Sequence, residues 1–113
     1  MEKVKLSIND FIKDVGETMT KNGFRDTHQS PTDFIALIHS EVSEVLEEFR
    51  VGNKPTETRY DKNGKPDGIP SEIADIVLRC FNMADYYGID LEKAIIEKHE
   101  YNKTRPYKHG KLF

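Results

Sequence analysis

"SPTDFIALIHSEVSEVLEEFR", residues 30–50, begins as a well-signalled helix and then places acids where a soluble helix keeps its apolar face. Ser30 can cap, Pro31 suits the first helical position, and Asp33 favours the positive helix end. At about 100° per residue, Phe34, Leu37, Ile38 and Val45 form one apolar arc, and Glu41 falls in its middle. Glu44 lies at the edge of that arc with Glu48 between the two, whereas Ser40, Ser43 and Glu47 occupy the solvent side. Helical glutamates are ordinarily solvated. The position of Glu41 and Glu44 argues against that here.

A second stretch repeats the anomaly. In "SEIADIVLRCFNMADYYG", residues 71–88, Glu72 and Asp75 share one helix face, flanked by Ile76 and Met83 on one side and Tyr86 on the other. Two carboxylates brought to about 4 Å repel by roughly 4 kcal/mol at an effective dielectric near 20, and burial adds to the cost. Four such groups facing inward need a counter-ion. Carboxylates are hard oxygen ligands, and no cysteine or histidine stands beside them at ligand spacing, so Mg²⁺ or Mn²⁺ suits the set better than zinc. A di-iron bundle would need Glu-x-x-His pairs, which the chain does not have.

Around these segments, periodicity and punctuation predict an all-α fold. A first helix runs from about Ser7 to Asn22 with Ile8, Phe11, Ile12, Val15 and Met19 on one stripe, stopped by Gly23. The second continues to about Phe49. The third covers Pro70 to Tyr87 and ends at Gly88, and the fourth starts behind the Asp90 cap and reaches about Lys103. No strand pattern competes with these. Residues 51–69, "VGNKPTETRYDKNGKPDGI", form a polar loop whose "NG" could close a small hairpin. The inward stripe of the fourth helix, Leu91, Ala94 and Ile95, continues through Lys98 and Asn102. Lysine stems often snorkel, but two polar groups four residues apart on one inward stripe are less easily dismissed. Behind them the tail adds Lys103, Arg105, Lys108, His109 and Lys111. Cations beside a carboxylate metal site suggest a polyphosphate, with metal and basic side chains sharing the neutralisation.

The chain has 113 residues, a third of them charged, and a formal net charge of -3. That bounds it to one domain over residues 1–113 and argues against general nucleic-acid binding, which needs a basic surface. The lone Cys80 cannot form an internal disulfide. No stretch reads as a signal peptide or a membrane span, so the cytoplasm is the expected location and no membrane partner is expected. The third helix carries apolar residues over a wide arc, from Met83 and Ile76 through Cys80, Ile73, Ala84 and Val77 to Phe81. One neighbouring helix would not cover it, which predicts a dimer.

The order E41-V-S-E44, then E72-I-A-D75, then "GIDLEKAIIEKHEYNKTRP" at 88–106 resembles the MazG-like all-alpha nucleoside triphosphate pyrophosphohydrolases, from about Thr27 to Arg105. The resemblance implies a four- to five-helix bundle that oligomerises through its helices into a homodimer or dimer of dimers. It implies Mg²⁺ held by Glu41, Glu44, Glu72 and Asp75, and Lys98, Asn102 and Arg105 as contacts to phosphates or sugar. It further implies hydrolysis of a nucleoside triphosphate to monophosphate and pyrophosphate, with Glu41 or Glu44 taking the proton of the attacking water. "HQSP" at 28–31 is similar to the "HQP" of dCTP-hydrolysing relatives, which makes His28 a base or sugar contact; those relatives use tryptophan in the base pocket, and this chain has none. Phe34, Phe49, Tyr60, Phe81 and Tyr86 are the aromatic groups from which a base-stacking partner would come. A phosphoribosyl-ATP pyrophosphohydrolase would share the acid pairs, and a non-catalytic helical module that binds nucleotide or a protein partner is the alternative from a different class.

Overall fold

The computed structural model describes residues 7–112, apart from the side chains of His109 and Gly110, so the place of His109 in the basic tail lies outside the described residues. Helix α1 spans Ile8–Lys21, α2 Pro31–Arg50, α3 Ile69–Tyr87 and α4 Leu91–Lys103. The all-α expectation holds. Each start has a local cause. Ser7 accepts from the Asp10 amide, and Asp90 accepts from the Lys93 amide. Ser30 and Asp33 form a reciprocal capping box, each side chain bonded to the other's backbone N–H.

The loop between α2 and α3 is more ordered than periodicity predicted. Strand β1, Arg59–Tyr60, pairs antiparallel with β2, Pro66–Asp67, so the "NG" at 63–64 sits inside a five-residue turn over 61–65. Asp61 fixes that turn, its Oδ1 accepting from the amides of Asn63 at 2.7 Å and Lys65 at 3.0 Å. A strand of two residues leaves no alternation to read, which is why the pattern was silent. The tail likewise holds a short 3-10 helix, Tyr107–Gly110, that no periodicity announced.

Helix α3 is the shared element, packing against α2 on one side and α1 on the other. Ile12, Phe34, Ile69 and Ala84 are the buried apolar residues of this small core. Phe34 is held among aromatic rings, 5.0 Å from Tyr86 and 5.6 Å from Tyr87 between centroids. Helix α4 packs on α1, where Asn9 Nδ2 donates to Asp90 Oδ1 at 2.8 Å and the Glu92 amide donates to Asn9 Oδ1 at 3.2 Å. No residue of α4 is buried. The inward stripe expected to continue into Lys98 and Asn102 is therefore a surface stripe in the single chain, because α4 leans on α1 and not into the α2–α3 layer. Large apolar side chains stay open on all four helices, among them Phe11 on α1, Ile35, Val42, Leu46 and Phe49 on α2, Ile73 and Val77 on α3, and Ile95 and Ile96 on α4. The radius of gyration is 16.7 Å, against about 13 Å for a compact domain of about 100 residues. Among the described residues no helix is long and apolar enough to cross a membrane.

Gly68 is the backbone constraint that sets α3 in place. It caps the helix at φ 117° and ψ 179°, a region essentially reserved for glycine, and a Cβ there would lie 2.5 Å from the Glu57 carbonyl oxygen. Its own carbonyl accepts from the Glu72 amide at 2.9 Å, so the cap anchors the first acid of α3. Gly68→Ala should destabilise the protein by about 2 kcal/mol and lower the melting temperature by roughly 10 °C in thermal denaturation. An unchanged melting temperature would mean that the cap can relax.

Candidate metal centre

The two acid pairs of the sequence converge. Ligand oxygens of Glu41, Glu72 and Asp75 lie within 4.8 Å of one another, brought together by the α2–α3 packing. Glu41 is only 8% exposed, as its place in the apolar arc predicted. Its Oε1 accepts from Arg79 Nε at 2.8 Å, while its Oε2 is buried without a partner among the described residues. Glu72 Oε2 is likewise buried and unpaired. Glu44 is exposed but stands against Glu72, within hydrogen-bonding reach of it.

The electrostatics register this crowding. Burial, then a shared hydrogen bond with Glu44, then the charges of Glu44, Asp75 and Glu41 push the Glu72 carboxyl up from its ordinary 4.5 to about 7. Burial and the Glu41 charge also raise Asp75, with Arg79 and Lys65 opposing. These are the marks of a carboxylate set short of positive charge. The fit to a hard divalent ion rests on the donor set, all oxygen, and on the two orphaned buried oxygens, which such an ion would satisfy.

Residues beyond the expected quartet belong to the site. Arg79 is the cation built into it, and its spacing of four from Asp75 and seven from Glu72 on one helix was a usable signal. Glu48, Asp67 and Glu72 form a second group of oxygens within 4.8 Å of one another. Glu48 is held by Arg59 Nη2 at 3.2 Å and by Asn53 Nδ2. Asp67 and Arg59 come from the hairpin, so no reading of α2 or α3 alone could place them there.

The remaining predicted residues form two other groups. Lys98 Nζ and Arg105 Cζ lie 5.7 Å and 5.8 Å from the Tyr101 ring, and the Arg105 amide donates to the Asn102 carbonyl. Lys98 and Asn102 are exposed, and among the described residues no hydrogen bond or ion pair joins this group to the four acids. His28 is exposed, its Nδ1 3.3 Å from the Tyr86 hydroxyl. Of the aromatic candidates, Phe34 is buried against Tyr86, Phe81 packs edge-on to Phe11 at 5.9 Å, and Phe49 and Tyr60 are exposed.

Because Glu72 holds its proton more tightly folded than unfolded, its contribution to stability is full below pH 4.5 and is lost as pH rises through about 7. In chelator, the melting temperature of the wild type should therefore fall relative to Glu72→Gln over that window. Parallel curves for the two proteins would remove Glu72 from the strained cluster. No family model, curated protein or solved structure matches this chain.

Proposed function

We propose that the protein is a Mg²⁺-dependent nucleoside triphosphate pyrophosphohydrolase, a hydrolase of the MazG-like kind that releases a monophosphate and pyrophosphate. The observation that carries this reading is the meeting of Glu41, Glu72 and Asp75 across α2 and α3, with a Glu41 oxygen buried and unpartnered among the described residues. The sequence resemblance adds the reaction class. Glu41, Glu44, Glu72 and Asp75 would hold the ion, Mg²⁺ or Mn²⁺. What a divalent ion supplies in such a site is Lewis-acid polarisation of phosphate oxygens and a lowered pKa for water.

The chain's own groups divide the remaining work. Arg79 holds Glu41 through Oε1 and leaves Oε2 without a partner, free for an ion. Of the two candidates Glu41 and Glu44, Glu44 would take the proton of the water attacking the α phosphorus; its exposure, where Glu41 is buried and engaged, supports that choice. Lys98, Asn102 and Arg105 would meet the phosphates or sugar. Hairpin and tail cations, among them Lys65 and Lys108, would close on the same anion, and nucleotide-pool cleaning is the role such chemistry serves.

Assembly belongs to the same reading. A homodimer or dimer of dimers would cover the open apolar faces of α2, α3 and α4, which one chain leaves in water. At micromolar concentration, sedimentation should give a dimer or larger, and Leu46→Glu should shift it towards monomer. A fully active wild-type monomer would contradict this.

One observation favours a second reading: the Arg79–Glu41 and Arg59–Glu48 pairs already neutralise part of the acid set, as a purely structural bundle would. The decisive assay screens NTPs and dNTPs with Mg²⁺ and detects pyrophosphate and orthophosphate separately. Pyrophosphate is the expected product; orthophosphate alone would place attack at the γ phosphorus. Glu41→Gln should lower turnover at least about a hundredfold while leaving the metal-free fold intact, since it removes a repelling charge. A wild type that neither binds Mg²⁺ in calorimetry nor turns over any triphosphate would leave the structural reading standing.

A further inference from the structure

Between α1, α2 and α3 lies a cavity of about 510 Å³ whose lining includes Glu41, Asp75, Phe34, Leu37, Gln29 and Asn82. Its size falls in the range of small-molecule sites, roughly 300–1,000 Å³. Asn82 is 6% exposed, yet only one arm of its amide is used. Oδ1 accepts from Arg25 Nη2 at 2.7 Å. A guanidinium only donates, so this contact settles which arm of the amide is oxygen and leaves Nδ2 as the spare donor. Among the described residues Nδ2 has no hydrogen-bond partner. Arg25 is itself fixed, donating through Nη1 to Asp85 Oδ2 at 2.9 Å and through Nη2 to the Asn82 carbonyl at 3.3 Å.

Gln29 shows the opposite polarity. Its Nε2 donates to the Phe24 carbonyl at 3.0 Å, and a carbonyl only accepts, so Oε1 is the arm left over. The cavity lining thus holds one amide with its donor arm to spare, one with its acceptor arm to spare, the Phe34 ring and two acids of the cluster. That combination suits a planar heterocycle whose edge has an acceptor next to an N–H.

We propose that this cavity takes the substrate's nucleobase, with Asn82 Nδ2 donating to a base carbonyl or ring nitrogen, Gln29 Oε1 accepting from a neighbouring N–H, and Arg25 as the positioning residue that holds the Asn82 amide. The proposal rests on the pyrophosphohydrolase reading for its assignment of the ligand as a nucleotide, with the phosphates towards Glu41 and Asp75. Base selectivity then lies in Asn82.

The test needs no turnover. The side-chain ¹⁵NH₂ resonance of Asn82 is followed while dAMP, dGMP, dCMP, dTMP and dUMP are added in turn to the full chain, with 2-deoxyribose 5-phosphate as the base-free control. At least one nucleotide should shift that resonance at millimolar concentration, and the control should not. Asn82→Asp can still accept from Arg25 but turns the free arm into an acceptor, so it should weaken binding of the preferred nucleotide about tenfold or more. Arg25→Met should erase the preference among bases, and Arg25→Lys, which still donates to Oδ1, should keep it. If no nucleotide moves the resonance, or the control moves it equally, the cavity assignment is overturned even where the chain releases pyrophosphate from triphosphates. Base-dependent shifts in a chain that hydrolyses no triphosphate would uphold the cavity and overturn the pyrophosphohydrolase reading.

Discussion

Burial of the Glu41 carboxylate against α3 is the interaction on which the rest of this structure depends. A charge taken out of water must be paired or it destabilises the fold, and Arg79 satisfies only one of its oxygens. The helix pair therefore keeps its register with Glu72 and Asp75 gathered round an unfinished shell. Such an arrangement is difficult to explain by stability alone, since apolar residues of similar volume would pack there without the electrostatic cost. The proposed ion would complete the shell and relieve the repulsion among the acids.

The opposite side of α3 solves a different packing problem. Gly16 of α1 sits so close to Asp85 that a Cβ there would collide with the carboxylate. That approach lets Asp85 reach Arg25, and Arg25 in turn fixes Asn82. A short chain of charge-assisted contacts thus runs from the α1–α3 contact to the wall of the cavity, and one helix serves two neighbours: acids towards α2, an oriented amide towards α1. Placing both on one rigid element would keep the proposed phosphate and base sites at fixed separation.

The chain also leaves much undone by itself. Its buried apolar set is small, and large apolar side chains stay exposed on α2, α3 and α4. The basic group around Tyr101 stands on α4, which touches α1 and does not reach the acids by any direct contact among the described residues. In the proposed assembly, covering those side chains and bringing cations to the phosphates are one problem.

The sequence by itself determined the helices, because caps, Gly stops and the 3.6-residue period are local, and it determined that Glu41 lies inward, because a helix face is defined by spacing alone. Glu72, half-buried, was legible for the same reason; Asp75 shares its face but is exposed, short of the inward position expected of it, and Arg79 could have been read from the same spacing. The tertiary structure alone decided that the two acid pairs meet, that Glu48 and Asp67 join them through a hairpin too short to show a pattern, and that α4 leans on α1 and so leaves Lys98 and Asn102 in solvent. It alone showed the Arg25–Asn82 contact, which joins residues 57 apart in the chain. Periodicity reports which way a side chain faces on its own element; which element it then meets depends on packing between segments distant in sequence, and no local pattern encodes that.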